Sequence, residues 1–160
     1  MTLQIKVLNE TDQGQVSKIV KSLWGDETIF AHGEVFHTPA LSGLKALDGD
    51  EIVGILHYQL RGQECEILTL ASLKKGQGIG SALLLEVERI AGKEGCCLLS
   101  LITTNDNLNA LGFYQKRGFH MAALAVDQVT KSRKQKTSIP LIGDNGIPIR
   151  DEIRLEKSLI

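Results

Sequence analysis

No stretch of this chain approaches the roughly 20 consecutive apolar residues of a membrane-spanning helix. The opening residues, MTLQIKVLNETDQG, lack the basic-then-apolar order of an export signal. Both absences point to a cytoplasmic protein without a membrane partner. An excess of either charge is missing too. Lys and Arg number 18 against 19 Asp and Glu, a formal net charge of -1, so no overall field exists to grip nucleic acid or anionic lipid, and neither is expected as a partner. Cysteine is scarce: Cys65, Cys96 and Cys97 are an odd number without metal-ligand spacing, and the adjacent pair cannot act as a CxxC. They read as reduced, buried thiols, and no metal is expected.

What is present is a 160-residue chain, 42% hydrophobic, which suits a single domain over 1–160 with its own core. Leu3, Ile5 and Val7 alternate with polar residues, as in an edge strand. A turn at residues 9–12 comes next, then a helix with Val16, Ile19, Val20 and Leu23 at helical spacing, ending near Trp24-Gly25. Asp12 and Gln15 have the spacing of a capping box. Residues 26–42 are hard to read: Ile29, Phe30, Val35 and Phe36 could line a short helix, and His37-Thr38-Pro39 looks like a break.

From Leu44 the pattern is an antiparallel meander. Its parts are 46–47, an Asp48-Gly49-Asp50 turn, 52–60, an Arg61-Gly62 turn and 64–73. The period then changes, and Ile79, Leu83, Leu84, Val87, Ile90 and Ala91 mark one face of a helix closed by Gly92 and Gly95. Residues 97–104 are nearly all apolar, as in a strand covered on both faces. Strand, helix and strand in that order imply parallel pairing through a right-handed crossover. Asn107 can cap a short helix through Tyr114 that stops at Gly118. A strand from His120 toward Val129, a polar loop over 130–148 and a last strand over 149–155 complete the reading.

The chemistry concentrates at Lys75-Gly76-Gln77-Gly78-Ile79-Gly80-Ser81, between an apolar strand and an amphipathic helix. Unblocked N–H groups at a helix N-terminus form an anion site, and glycine lets a phosphate approach the backbone. A nucleotide P-loop would need Lys-Ser or Lys-Thr after the second glycine, but Gly80 is followed by Ser81-Ala82. A dinucleotide GxGxxG meets Ser81 or Leu83 at its last position, so neither motif fits. Taken alone, the glycines could equally be turn formers.

A second segment decides between these readings. Gly76-Gln77-Gly78-Ile79-Gly80 resembles the Q/R-x-x-G-x-G/A signature of the GNAT superfamily of N-acetyltransferases. Asn107-Leu108-Asn109-Ala110-Leu111-Gly112-Phe113-Tyr114, with Arg117-Gly118-Phe119 after it, is similar to that family's N-x-x-A-x-x-F-Y...GF segment. The first signature position is Lys75, and the stretch from Leu70 to Lys75 is shorter than usual.

The resemblance implies an α/β fold with a mixed, mostly antiparallel central sheet, helices on both faces and a splayed-strand cofactor site. It also implies acetyl-CoA as cosubstrate, a primary amine on a small molecule or peptide as acceptor, and direct transfer in a ternary complex; a homodimer stays open. It places the cofactor along Leu70, Ala71 and Ser72, the run from Lys75 through Gly76, Gln77, Gly78, Ile79 and Gly80 to Ser81, and Asn107. Tyr114 would be the general acid at the leaving thiolate.

Glu66 is the candidate base, because the strand period puts it on one face with Leu68 and Leu70; a surface charge is the competing reading. Asp151 interrupts the apolar set Ile149, Ile153 and Leu155 and could bind the acceptor amine. His32, His37 and Trp24 are further candidates for substrate contact, with core packing the competing reading for Trp24, and the two histidines are spaced too loosely for a helical metal pair. Two other function classes compete: a non-catalytic acyl-CoA sensor, against which Tyr114 argues, and a polypeptide-binding module using the basic residues 131–136.

Overall fold

The computed structural model describes residues 2–160. The alternating Leu3, Ile5 and Val7 form β1 (Leu3–Val7), which pairs antiparallel with β4 (Ser42–Asp48) at one edge of a seven-stranded sheet. β4, β5 (Glu51–Arg61) and β6 (Glu64–Ser72) make the expected meander. α2 (Ile79–Lys93) then carries the chain over one face to β7 (Leu98–Thr104), which lies parallel to β6. With β8 (His120–Ala125) and β9 (Glu152–Ser158) the order is β1-β4-β5-β6-β7-β9-β8, antiparallel at every pair except β6 with β7. This is the mixed, mostly antiparallel α/β sheet that the sequence implied.

Apolar periodicity seats helices on both faces. α1 (Gln13–Trp24) buries Val16 and Val20 against Ile52 and Ile55. On the opposite face α2 packs Leu83, Leu84 and Val87 against Leu44, Leu56 and Cys65. Burial pushes the Cys65 thiol up to about 12, as befits a residue acting as a small core hydrophobe. α3 (Leu108–Lys116) lies on the same face as α2 and buries Leu111 and Tyr114 in that cluster. Among the described residues, no helix is long and apolar enough to cross a membrane.

Several local expectations are corrected. Residues 26–42 form a hairpin, not a helix: β2 (Thr28–Ala31) pairs with β3 (Glu34–His37), setting Ile29 opposite Phe36 and Phe30 opposite Val35. Its two-residue turn, His32-Gly33, has positive φ at both positions (43° and 78°), the combination that matches strand twist. The capping box is formed by Asn9 and Asp12 around a single 3-10 turn, three residues ahead of the Asp12 and Gln15 pair. The strand after His120 stops at Ala125, and α4 (Gln128–Arg133) occupies the start of the supposed loop, anchored by buried Val129 and Ser132. The last strand begins at Glu152 rather than 149.

Two irregularities of β6 shape the region beyond Ile67. Its parallel pairing with β7 runs from Glu64 opposite Leu98 only to Ile67 opposite Leu101. Past that point β6 stays with β5 and β7 stays with β9, so the two strands splay apart. At the same place the register with β5 slips: His57 faces Thr69 but Tyr58 faces Ile67, leaving Leu68 as a bulge. The bulge breaks the period of two. Cys65, Ile67 and Leu70 all pack on the α2 side, so Glu66 points to the other face. The sequence expectation that Glu66 shares a face with Leu70 is thereby overturned.

Candidate active site

Where β6 ends, the chain turns through Gly76 and Gly78, both at φ 73°, and Gly78 is the left-handed residue that opens α2. A Cβ on either glycine would meet nothing within 4 Å, because both face an open cavity of about 540 Å³. The backbone amides of residues 76–81 find no acceptor among the described residues; the first to do so is Ala82, which donates to Gly78. Six consecutive unpaired donors at a helix N-terminus suit a phosphate or pyrophosphate.

The cavity wall also holds Ser72, Lys75, Ile79, Gly80, Ser81 and Arg117. Lys75 makes no ion pair among the described residues, whereas Lys74 is drawn away to Glu51 at 3.3 Å. Gln77 and Ala71 do not line the cavity; Ala71 packs toward α1 instead. Arg117 was not among the residues expected here. Its guanidinium stacks 3.7 Å over the Phe113 ring and donates to Ser81 Oγ at 2.7 and 3.0 Å, so a cation is fixed beside the unpaired amides. Gly80 allows this docking, since even a Cβ there would come within 3.3 Å of Phe113.

A second cavity, about 360 Å³, opens in the splay between β6 and β7 and adjoins the first at Leu70, Ala110 and Tyr114. Asn107 lines it while capping α3, its Oδ1 accepting the Ala110 N–H at 3.1 Å, which leaves its amide NH₂ for a ligand. Tyr114 is 7% exposed and packed edge-on between Phe113 and Phe119. Its hydroxyl forms no hydrogen bond among the described residues, yet no buried side-chain polar atom there is orphaned, so it keeps access to the cavity. Burial raises the phenol above its ordinary value, and the group holds its proton at neutral pH.

On the far side of the splay the expected acceptor residues divide. Trp24 lines the smaller cavity, beside Ile29 and Phe30 of the hairpin. His37 does not; it is exposed at the end of β3. Asp151 is turned away from the cavity, accepting the Asp127 N–H at 2.8 Å and pairing with Arg150 at 2.9 Å. Glu66 is buried, with both oxygens 3.0 to 3.1 Å from His32 Nε2, and it does not line the cavity either. The carboxylate that does is Glu152, 4% exposed, whose Oε1 accepts the His32 N–H at 2.9 Å. Burial raises its pKa, and nearby Glu66 adds to the rise, while the His32 amide and ring oppose it.

The acetyltransferase (GNAT) family model matches residues 10–119, more than half of the chain. The chain belongs to the GNAT family. It is 40% identical over 150 residues to the uncharacterized protein YdhI of Bacillus subtilis (strain 168), covering 93% of this chain and 94% of that one. A Bacillus subtilis acetyltransferase solved in complex with CoA superposes with a TM-score of 0.71 at 25% identity, over 99% of this chain and 100% of that one. The Arabidopsis thaliana Naa50, solved with the bisubstrate analogue CoA-Ac-MVNAL, shares the fold with a TM-score of 0.74, at 21% identity and 99% coverage of both chains.

In this GNAT chain the side chains that sequence reading missed are Arg117 and Glu152, while His32, a candidate for substrate contact, holds Glu66 and Glu152. Arg117 stands just before Gly118-Phe119, four residues after Phe113, the spacing that lets it stack back on that ring. Glu152 is one position from Asp151, and an error of one residue in a strand exchanges its faces. His32 has a signal in Ala31-His32-Gly33-Glu34, a two-residue turn ending in glycine between two apolar β-type runs.

Proposed function

We propose that this protein transfers an acetyl group from acetyl-CoA to a primary amine by direct attack in a ternary complex, within one domain over 1–160. The observation that carries this reading is the run of unpaired amides at residues 76–81, beside open glycines and adjoining the splay. The CoA complex of the Bacillus subtilis relative supports the choice of ligand.

These amides, with Lys75 and Arg117, would hold the pyrophosphate. The exposed β6 edge after Ile67 and the Asn107 amide would hold the pantetheine arm. Acetyl-CoA supplies an activated thioester when bound. Glu152 draws the acceptor ammonium to its unpaired Oε2 and takes up a proton as the amine becomes a nucleophile; its raised pKa makes it a stronger base than an exposed glutamate. The base is thus reassigned from Glu66, which stands behind Glu152 and strengthens it electrostatically. Tyr114 keeps its proton through the working pH range and delivers it to the leaving sulfur.

The test is amine-dependent release of free thiol from acetyl-CoA, combined with thermal protection by acetyl-CoA. Initial rates varied in both substrates should give intersecting lines. Parallel lines would replace direct attack with a covalent acetyl-enzyme. Absence of both thiol release and protection would remove the transferase reading.

A further inference from the structure

The smaller cavity carries information about the acceptor that the family does not supply. On the hairpin side its wall is apolar, with Trp24, Ile29 and Phe30 facing Leu68, Val129 and Ile139. Two charged residues line it, Glu152 and Lys136. Lys136 is already committed: its ammonium donates to Thr28 O at 2.7 Å and pairs with Asp26 at 3.2 Å, and its side chain is 9% exposed. Glu152 is committed at one oxygen only, since Oε1 accepts from His32 while Oε2 has no partner among the described residues. Among those residues the cavity therefore offers one unsatisfied negative charge and no unsatisfied positive charge, with the apolar wall on the hairpin side and neutral polar side chains, Thr69, Thr103, Thr104, Asn107 and Ser132, elsewhere.

Its mouth is tied down. Lys136 fastens β2 to the segment after α4, and His32 fastens the hairpin tip to Glu66 and Glu152. The cavity, about 360 Å³, is near the lower end for ligand pockets, and the cofactor arm along β6 and Asn107 would take part of it. It matches one small molecule better than an extended peptide, which needs an open groove.

Resting on the transferase reading above, we propose that the acceptor is a small monoamine with an apolar carbon body and no carboxylate, of the arylalkyl or branched alkyl type. The ammonium meets Glu152, and the body fills the space among Trp24, Ile29 and Phe30. An α-amino acid of the same body would bring its carboxylate into a cavity whose lining cation, Lys136, is already occupied, an uncompensated buried charge. A polyamine would press its second ammonium against the apolar wall.

The experiment compares matched acceptors at saturating acetyl-CoA: phenethylamine against phenylalanine, isopentylamine against leucine, with spermidine and a short peptide bearing an N-terminal methionine. Sites that leave a buried charge or polar group unpaired discriminate steeply, so the monoamine of each pair should have at least about tenfold higher kcat/KM. Trp24→Ala should raise the KM for phenethylamine severalfold and leave the KM for acetyl-CoA unchanged, since Trp24 does not line the cavity of the 76–81 amides that would hold the pyrophosphate.

Equal or greater kcat/KM for the amino acids, spermidine or the peptide overturns the proposal. So does failure of every monoamine to react while acetyl-CoA still protects the fold, or an unchanged phenethylamine KM in Trp24→Ala. A protein that acetyl-CoA does not protect and that releases no thiol with any amine has instead lost the transferase reading itself.

Discussion

The backbone amide of His32 donates to Oε1 of Glu152 at 2.9 Å, joining the tip of the β2–β3 hairpin to the first residue of β9. The bond fixes one carboxylate oxygen of a residue that lines the cavity and leaves the other without a partner among the described residues. It also ties acceptor-site geometry to a hairpin that belongs to no other sheet.

Replacing Glu152 with Gln retains an acceptor for His32 but removes the base. General acid or base catalysis is worth about 10²- to 10⁴-fold, so kcat/KM for the amine should fall at least tenfold. Glu66→Gln should cost less, because Glu66 does not line the cavity. A larger loss from Glu66→Gln, in the same thiol-release assay, returns the role of base to Glu66.

Glu152 also sets a stability trend with pH. Its folded pKa is raised, so the folded state binds more protons than the unfolded state above the ordinary 4.5. This contribution is most favourable below that value and is lost as pH rises through the folded pKa. Glu152→Gln should therefore gain stability relative to the parent on going from pH 4 to pH 7, measured by urea denaturation at both. An identical change in parent and variant means the carboxylate is not desolvated.

His57 acts in the opposite sense. It is 2% exposed beside Thr69, and burial lowers its pKa from 6.5 to about 4. The folded state then binds fewer protons between these values, so the stability contribution is full above pH 6.5 and is lost as pH falls through 4. A shift of that size corresponds to on the order of 3 kcal/mol. His57→Gln should flatten the denaturation slope over this window, and an unflattened slope would place the acid sensitivity elsewhere.

At the cradle, Gly78→Val puts a β-branched side chain at φ 73° and sends its Cβ into the open cavity. Backbone strain of about 1 to 3 kcal/mol should lower the thermal midpoint, and the KM for acetyl-CoA should rise at least tenfold. A variant with lower stability but unchanged KM would leave Gly78 a turn residue only.

Legibility tracks the physics of each element. α2 and the loop before it are readable because a 3.6-residue apolar period and three closely spaced glycines are local signals. The meander and the β6–α2–β7 crossover are readable for the same reason. The facing of Glu66 is not, since a bulge at Leu68 is a pairing event that strand periodicity does not encode. The hairpin is obscured because Ile29, Phe30, Val35 and Phe36 do not alternate with polar residues: Ile29 and Phe30 line the cavity, Phe36 is buried and Val35 is exposed. α4 is six residues long, too short for a period to show. The loop after it holds its shape through Arg133, which donates to the carbonyls of Ile139, Pro140 and Ile149. Contacts spanning up to 16 residues have no signature in a local window.

The most direct measurement on acetyl transfer at the splay is the turnover of Tyr114→Phe with acetyl-CoA and an accepted amine. Phenylalanine keeps the ring between Phe113 and Phe119 but loses the hydroxyl that faces the cavity. The expected result is a fall in kcat of more than tenfold with the KM for acetyl-CoA unchanged. The alkaline limb of the pH profile should stay in place, because burial keeps the parent's phenol protonated beyond its ordinary range. Undiminished kcat in Tyr114→Phe would contradict the assignment of proton delivery to Tyr114 and leave the ring as packing.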